Sequence, residues 1–314
     1  MFENLCETVR SELSVRLGGR NAWYVLVDPA ISDPLADCEG RDQAVSLAIR
    51  HTDMPRHFRP YLLRLGAIGR DERVDLTVRV GVEEALRAAP HNGSRRSICG
   101  WIASELPPAV IAGHLVRHTR VRAQDRARTL RIWDPRTLDL LQHLLTERAG
   151  QLLALPAADW WWLGRNAHVK GLQATRDPAP DPVGAHLNDE HIGALLLAEP
   201  LHATLNVLQD KRVDPTDDQT LRTIIGALRR ASTQWGVSDP LDQVGFALHS
   251  CLVHPNFDAD AEVAAAMRRS AGEGHVPTQA LSLFSEQEWN AVRGRLIGAN
   301  PDARVKGNGE LHHG

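Results

Sequence analysis

Residues 23–27, WYVLV, form an unbroken apolar run of aromatic and β-branched side chains that ends at Asp28-Pro29. Successive side chains of a strand point to opposite faces, so a run with no polar alternation has to be covered on both sides. A central strand in a layered sheet is the predicted outcome. PYLLRL (60–65) and ICGWI (98–102) read as further strands, with helical stretches at 41–50 and 81–88 between them. That alternation predicts an α/β layer. PPAVIAGHLVRH (107–118) opens with prolines where a helix tolerates them. It leads into TRVRA, the turn QDRAR and TLRIW, which together predict a β-hairpin and hence a mixed sheet.

The chain has 314 residues, long for one core, so two domains are expected. After a helix at 135–148, the stretch ATRDPAPDPVG (174–184) is rich in proline and aspartate. The predicted division is an α/β domain over 1–170, a linker over 171–187 and a helical domain over 188–314 that ends in a polar tail. In that domain Leu221, Ile224, Ile225, Leu228, Ala231 and Trp235 recur on one helical face, with Gly236 as a cap. Asp239-Pro240 opens another helix, with Leu241, Val244, Leu248 and Leu252 expected inward. Ser285 to Glu288 has the pattern of a capping box.

Apolar residues make up 43% of the chain and charged residues 24%, an ordinary globular balance. A formal charge of −3 gives no reason to expect nucleic acid or an anionic membrane as partner. Cys6, Cys38, Cys99 and Cys251 are scattered, which predicts neither a zinc site nor a disulfide framework and points to a reducing cytoplasm. The amino end lacks the basic start and apolar core of a signal peptide, and no apolar run is long enough for a membrane span. A cytoplasmic protein without membrane or cofactor is expected.

In WDPRTL, Asp134 can cap a helix and Pro135 takes its first position. Arg136 is then a cation in the first turn, which opposes the helix dipole by about 0.3 to 1 kcal/mol. The predicted compensation is a pair with Asp28 at the end of the central strand. Trp160, Trp161 and Trp162 are consecutive, so on an extended segment they cannot all face one core. At least one is expected at a seam between domains or at a partner-binding surface. Arg120 and Arg122 share a strand face among Arg117, Arg126, Arg128 and Arg131, with only Asp125 among them as an acid. They read as edge protection first, as a docking site for an acidic protein next, and as a nucleic-acid site last, since no aromatic stacking residues accompany them. His186 and His191 are spaced by five, which misses the helical ligand pattern, and His312 and His313 lie in the tail; no metal site is expected.

YVLVDPA (24–30), PYLLRL, GWIASELPPAVIAGHL (100–115) and LRIWDPRTLDLL (130–141), in that order, resemble the domain-of-unknown-function 4123 family of type VI secretion adaptors. The stretch 231–258 is similar to the carboxyl-terminal part of such adaptors. The hairpin turn QDRAR departs from the family's usual Asp-Gly. The resemblance implies a non-enzymatic cytoplasmic chaperone that binds a toxic effector and promotes its loading onto the VgrG spike. In keeping with that, the chain shows no G-x-S-x-G, P-loop or HExxH motif. The alternative is a hydrolase or nuclease that uses Asp28, Asp134 and a histidine such as His114.

Overall fold

The computed structural model describes residues 2–17, 22–50, 54–86, 96–123, 126–145, 148–175, 181–210 and 218–299. The chain divides into two compact units, Met1–Ala198 and Glu199–Gly314.

The first unit is built on a six-stranded sheet of β1 (Trp23–Val27), β2 (Val45–Ser46), β3 (Tyr61–Leu65), β4 (Ile98–Ser104), β7 (Ala158–Leu163) and β8 (Val169–Leu172), in the order β2-β3-β1-β4-β7-β8. As its composition requires, β1 is buried at all five positions and lies between two strands. Each ladder of the sheet is antiparallel, where the alternation of strands and helices had predicted a mixed sheet. The reason lies in the order. β3 and β4 both run antiparallel to β1, so they are parallel to each other with β1 between them. Helix α2 (Glu72–Leu86) links them, so a βαβ crossover exists without any adjacent parallel pair.

Period-two alternation sends the strand side chains into two cores. Tyr24, Leu26, Leu62, Ile102, Trp160 and Trp162 face one of them. It is closed by α3 (Pro108–Arg117), α4 (Pro135–Leu145) and α5 (Ala149–Leu153) through Ile111, Leu115, Leu138, Leu141 and Leu152. Val25, Val27, Leu63, Trp101 and Trp161 face the other core, closed by α1 (Phe2–Leu17) and α2 through Val9, Leu13, Val74, Val78 and Val82. The tryptophan triplet is therefore interior at each position, Trp160 and Trp162 at 0% exposure and Trp161 at 7%. It forms neither an exposed anchor nor a seam, because β7 has a helix layer on each side, and three consecutive rings need that.

Other expectations need adjustment. The stretch 41–50 holds a 3₁₀ turn, Arg41–Gln43, and the short strand β2 in place of a helix. The second helix is α2, which starts well before residue 81. The hairpin forms as a separate two-stranded sheet, β5 (Arg120–Ala123) with β6 (Arg126–Thr129), and Ile132 and Trp133 fall in a turn beyond it. The predicted linker 171–187 overlaps β8, and Val183 is fully buried with its N–H donated to His118 Nδ1 at 3.0 Å. Residues 176–180 of that stretch lie outside the described residues, and the compact units part after α6 (Asp189–Leu196).

The second unit is helical: α7 (Ala198–Asp210, which begins at its border), α8 (Asp218–Thr233), α9 (Pro240–Leu252), α10 (Ala261–Gly272) and α11 (Glu286–Ala299). Ile224, Ile225, Leu228 and Ala231 are buried along α8, and Gly236 follows at φ +66°. Asp239 and Asp260 cap α9 and α10, and the box at α11 forms, with Ser285 N donating to Glu288 Oε2 at 2.7 Å. The inward face of α9 is rotated from the expected one. Gln243, Val244, Phe246, Ala247 and Ser250 are buried, whereas Leu241 and Leu252 are exposed. Gln243 turns inward because its amide donates to Ser232 Oγ and Val237 O, each at 2.9 Å.

Two glycines permit the tryptophan layer. Gly100 has φ +141° where the β1–β4 register shifts, and a Cβ there would overlap the Trp161 carbonyl. A Cβ on Gly171 would overlap the ring of Trp161, which lies across β8 at that point. Gly171→Ala is expected to destabilise the first unit by about 1 to 3 kcal/mol, as overpacking does. Chemical denaturation followed by tryptophan fluorescence measures this.

Candidate functional site

Asp28 stands where β1 leaves the sheet, 1% exposed. Its main-chain N–H donates to Ser97 O at 2.8 Å, and its Oδ1 accepts from Ala30 N at 3.1 Å, which turns the chain. Oδ2 accepts from Trp133 Nε1 at 2.7 Å and from the Arg131 guanidinium. Arg131 and Trp133 are two residues apart, and the Arg131 guanidinium carbon lies 5.8 Å from the Trp133 ring centre. Burial works against the Arg131 charge, and Asp28 with Asp134 outweighs it, so the guanidinium is held more firmly protonated than usual.

Asp134 and Arg136 form a second, local pair. Asp134 Oδ1 accepts the Arg136 N–H and Nε–H, both at 3.0 Å, and Oδ2 accepts from Nη2 at 2.7 Å. The predicted Asp28–Arg136 pair is thus replaced by Asp28–Arg131 and Asp134–Arg136. The physical reason is distance along the chain: the capping carboxylate already lies beside the arginine two residues on, and one fork satisfies both. The unfavourable cation in the first turn is neutralised by the helix cap itself. Burial pushes the Asp134 carboxyl up, but the hydrogen bonds and charge of Arg136, aided by Arg131, hold it at about 2.

Further charges gather at neighbouring strand ends. Glu84 of α2 accepts Ser97 N, Ser97 Oγ at 2.6 Å and Ile98 N at 3.1 Å, which ties α2 to the start of β4. Burial still raises its carboxyl above the usual range. Arg96 is buried and donates to Leu163 O at the end of β7; burial lowers its pKa, with Asp139 and Asp134 in partial compensation. Asp139 of α4 accepts Trp162 Nε1 at 2.9 Å and Lys170 Nζ at 3.1 Å.

The remaining predicted site residues are not brought to this place. Arg120 and Arg122 are exposed on the hairpin. His114 sits partly buried on α3 and makes no hydrogen bond to Asp28 or Asp134 among the described residues; burial and then Arg117 lower its pKa. Of the weak histidine pair, His186 Nδ1 approaches Arg148 Nη2 at 3.4 Å, while the main chain of His191 donates to Asn188. Among the described residues no group of three or more His, Cys, Asp or Glu side chains is placed to hold a metal ion. His312 and His313 lie outside the described residues. Sequence reasoning missed Arg131 and Trp133 as partners of Asp28, although their spacing in an extended segment puts both on one side. It also missed Glu84 and Arg96, for which no local pattern gave a signal.

The fold and the site define a three-layer domain whose strand-end carboxylates are latched by nearby donors. A family model described as a domain of unknown function, DUF4123, matches residues 23–151, which run from β1 into α5 and include Asp28, the hairpin and the Asp134–Arg136 pair. No curated protein and no solved structure matches the chain. Among the described residues no helix is long and apolar enough to cross a membrane.

Two outcomes follow from the latch. With the Asp134 carboxyl depressed from 3.8 to about 2, its stabilising effect is complete above pH 4 to 5 and is lost as pH falls through about 2. The contribution is about 2 kcal/mol, and Asp134→Asn should flatten the stability profile in that acid window. In double-mutant cycles, Asp28→Asn should couple to Arg131→Ala by about 1 to 3 kcal/mol and be additive with Arg136→Ala. Denaturation midpoints of the four variants measure both.

Proposed function

We propose that this chain is a non-enzymatic cytoplasmic adaptor that binds a type VI secretion toxin effector and promotes its loading onto a VgrG spike protein. The observation that carries this reading is the position of the four resembling segments. All of them fall within the matched stretch 23–151, and they build β1, β3, β4 with α3, and the turn into α4 around Asp28. The adaptor reading asks the sheet and its latches only to hold a surface in place. A hydrolase or nuclease needs free carboxylates, whereas the Asp28 side chain serves Arg131 and Trp133, and that of Asp134 serves Arg136. That use of the two acids favours a scaffold over a reactive centre.

Coexpression with the toxin encoded beside this chain's gene should give a soluble complex of defined stoichiometry, and the toxin alone should be less stable. Deleting the gene should abolish delivery of that toxin while general secretion continues. Lack of association with any neighbouring toxin or VgrG, in both pull-down and sizing experiments, overturns the adaptor reading.

A further inference from the structure

Most buried or half-buried arginines of the first unit meet an acid or a carbonyl. Arg41 pairs with Asp33, Arg73 with Asp71, Arg131 with Asp28 and Arg136 with Asp134. The hairpin differs. Its strands read RVRA and RART, with no acidic residue, and Arg120, Arg122 and Arg128 are exposed with no ion pair among the described residues. Arg120 and Arg122 are two apart on one strand and so share a face at about 7 Å, where like charges repel. Arg128 stands directly across from Val121, which places it on the other face of the hairpin from Arg120 and Arg122.

The hairpin is nevertheless held firmly. Val121 is 7% exposed and packs in the same core as Leu115 and Trp133. Leu130 N donates to Thr119 O at 2.6 Å, closing the strands at their base. One step on, Arg131 enters the Asp28 latch. A fixed element therefore carries on its outer face two guanidiniums that receive nothing from within the described fold. Edge protection accounts for charge on the strands but does not call for two cations held side by side on one face, where they repel.

We propose that the outer face of the β5–β6 hairpin, through Arg120 and Arg122, docks an acidic segment of a protein partner. The guanidinium fork matches carboxylates in bidentate fashion. A protein segment is favoured over nucleic acid because the hairpin strands carry no aromatic residue for base stacking and span four residues each, a length suited to a few carboxylates. The overall charge of −3 also opposes a long polyanion. The identification of that partner as the secreted toxin rests on the adaptor reading; the surface itself does not.

The test uses the full chain and a fluorescent glutamate decamer, with a glycine-serine peptide and a single-stranded thymidine oligonucleotide as comparators, followed by anisotropy. The decamer should bind, weaken by about tenfold or more between about 50 and 300 mM salt, and lose binding in the combined Arg120→Gln, Arg122→Gln variant. Arg122→Glu alone should weaken it in the same direction, and circular dichroism should match the parent for both. No binding of the decamer, binding unchanged in the folded double variant, or tighter binding of the oligonucleotide through the same arginines overturns the proposal. In the coexpression assay, a toxin that binds parent and double variant alike refutes the hairpin as its dock; a toxin that binds neither form refutes the adaptor reading.

Discussion

The carboxylate of Asp28 is taken out of water at the end of the central strand, and much of the first unit is arranged around that fact. A buried carboxylate without partners costs several kcal/mol, enough to undo most of a domain's net stability. Besides the Ala30 N–H, two side-chain donors meet it, Arg131 and the Trp133 indole, and both come from the segment that joins the hairpin to α4. The path of the chain there is fixed as a consequence. Trp133 is seated at 0% exposure, Asp134 is placed to cap α4, and Leu138 and Leu141 are turned onto the sheet. The hairpin just upstream is thereby held by a bond made in the interior.

How much of this was legible depended on whether a property is local in sequence or decided by neighbours. WYVLV has only one environment that suits five apolar residues in a row, and it is central as expected. The Asp134 cap, the Asp239 cap and the box at Ser285 depend on neighbours within three residues, and they formed. The partner of Arg136 was misassigned because pairing is a competition: the acid two residues away outranks one that has to be brought from another strand. The tryptophan triplet was read as partly exposed because one core cannot take three consecutive rings, but two cores can. That second layer comes from α1 and α2, far away in sequence. The inward face of α9 was missed for a similar reason, since Gln243 is drawn inside by carbonyl and hydroxyl groups that periodicity does not register.

The charges of the first unit sort into two populations with different consequences. Those at the strand ends are paired, largely buried and tied to the geometry of the fold; they make poor reagents and good fasteners. Those on the hairpin strands are arginines, and Arg120, Arg122 and Arg128 are solvated and cost the fold little because they lie at its surface. The proposed adaptor role would use this division, a stiff frame that presents a charged face. The match of residues 23–151 to a single family model covers both the frame and the hairpin, while the tryptophan strand and the helical unit lie beyond it.

The central claim is that Asp28 belongs to a closed structural latch, and the proton on Trp133 Nε1 reports on it most directly. Its indole resonance, assigned through Trp133→Phe, can be followed by hydrogen exchange in the intact protein. The account predicts exchange only through opening on the scale of global unfolding, with protection lost in Asp28→Asn. An indole proton that exchanges within the dead time of the measurement would contradict it, since the Asp28 carboxylate would then be open to solvent and available for chemistry.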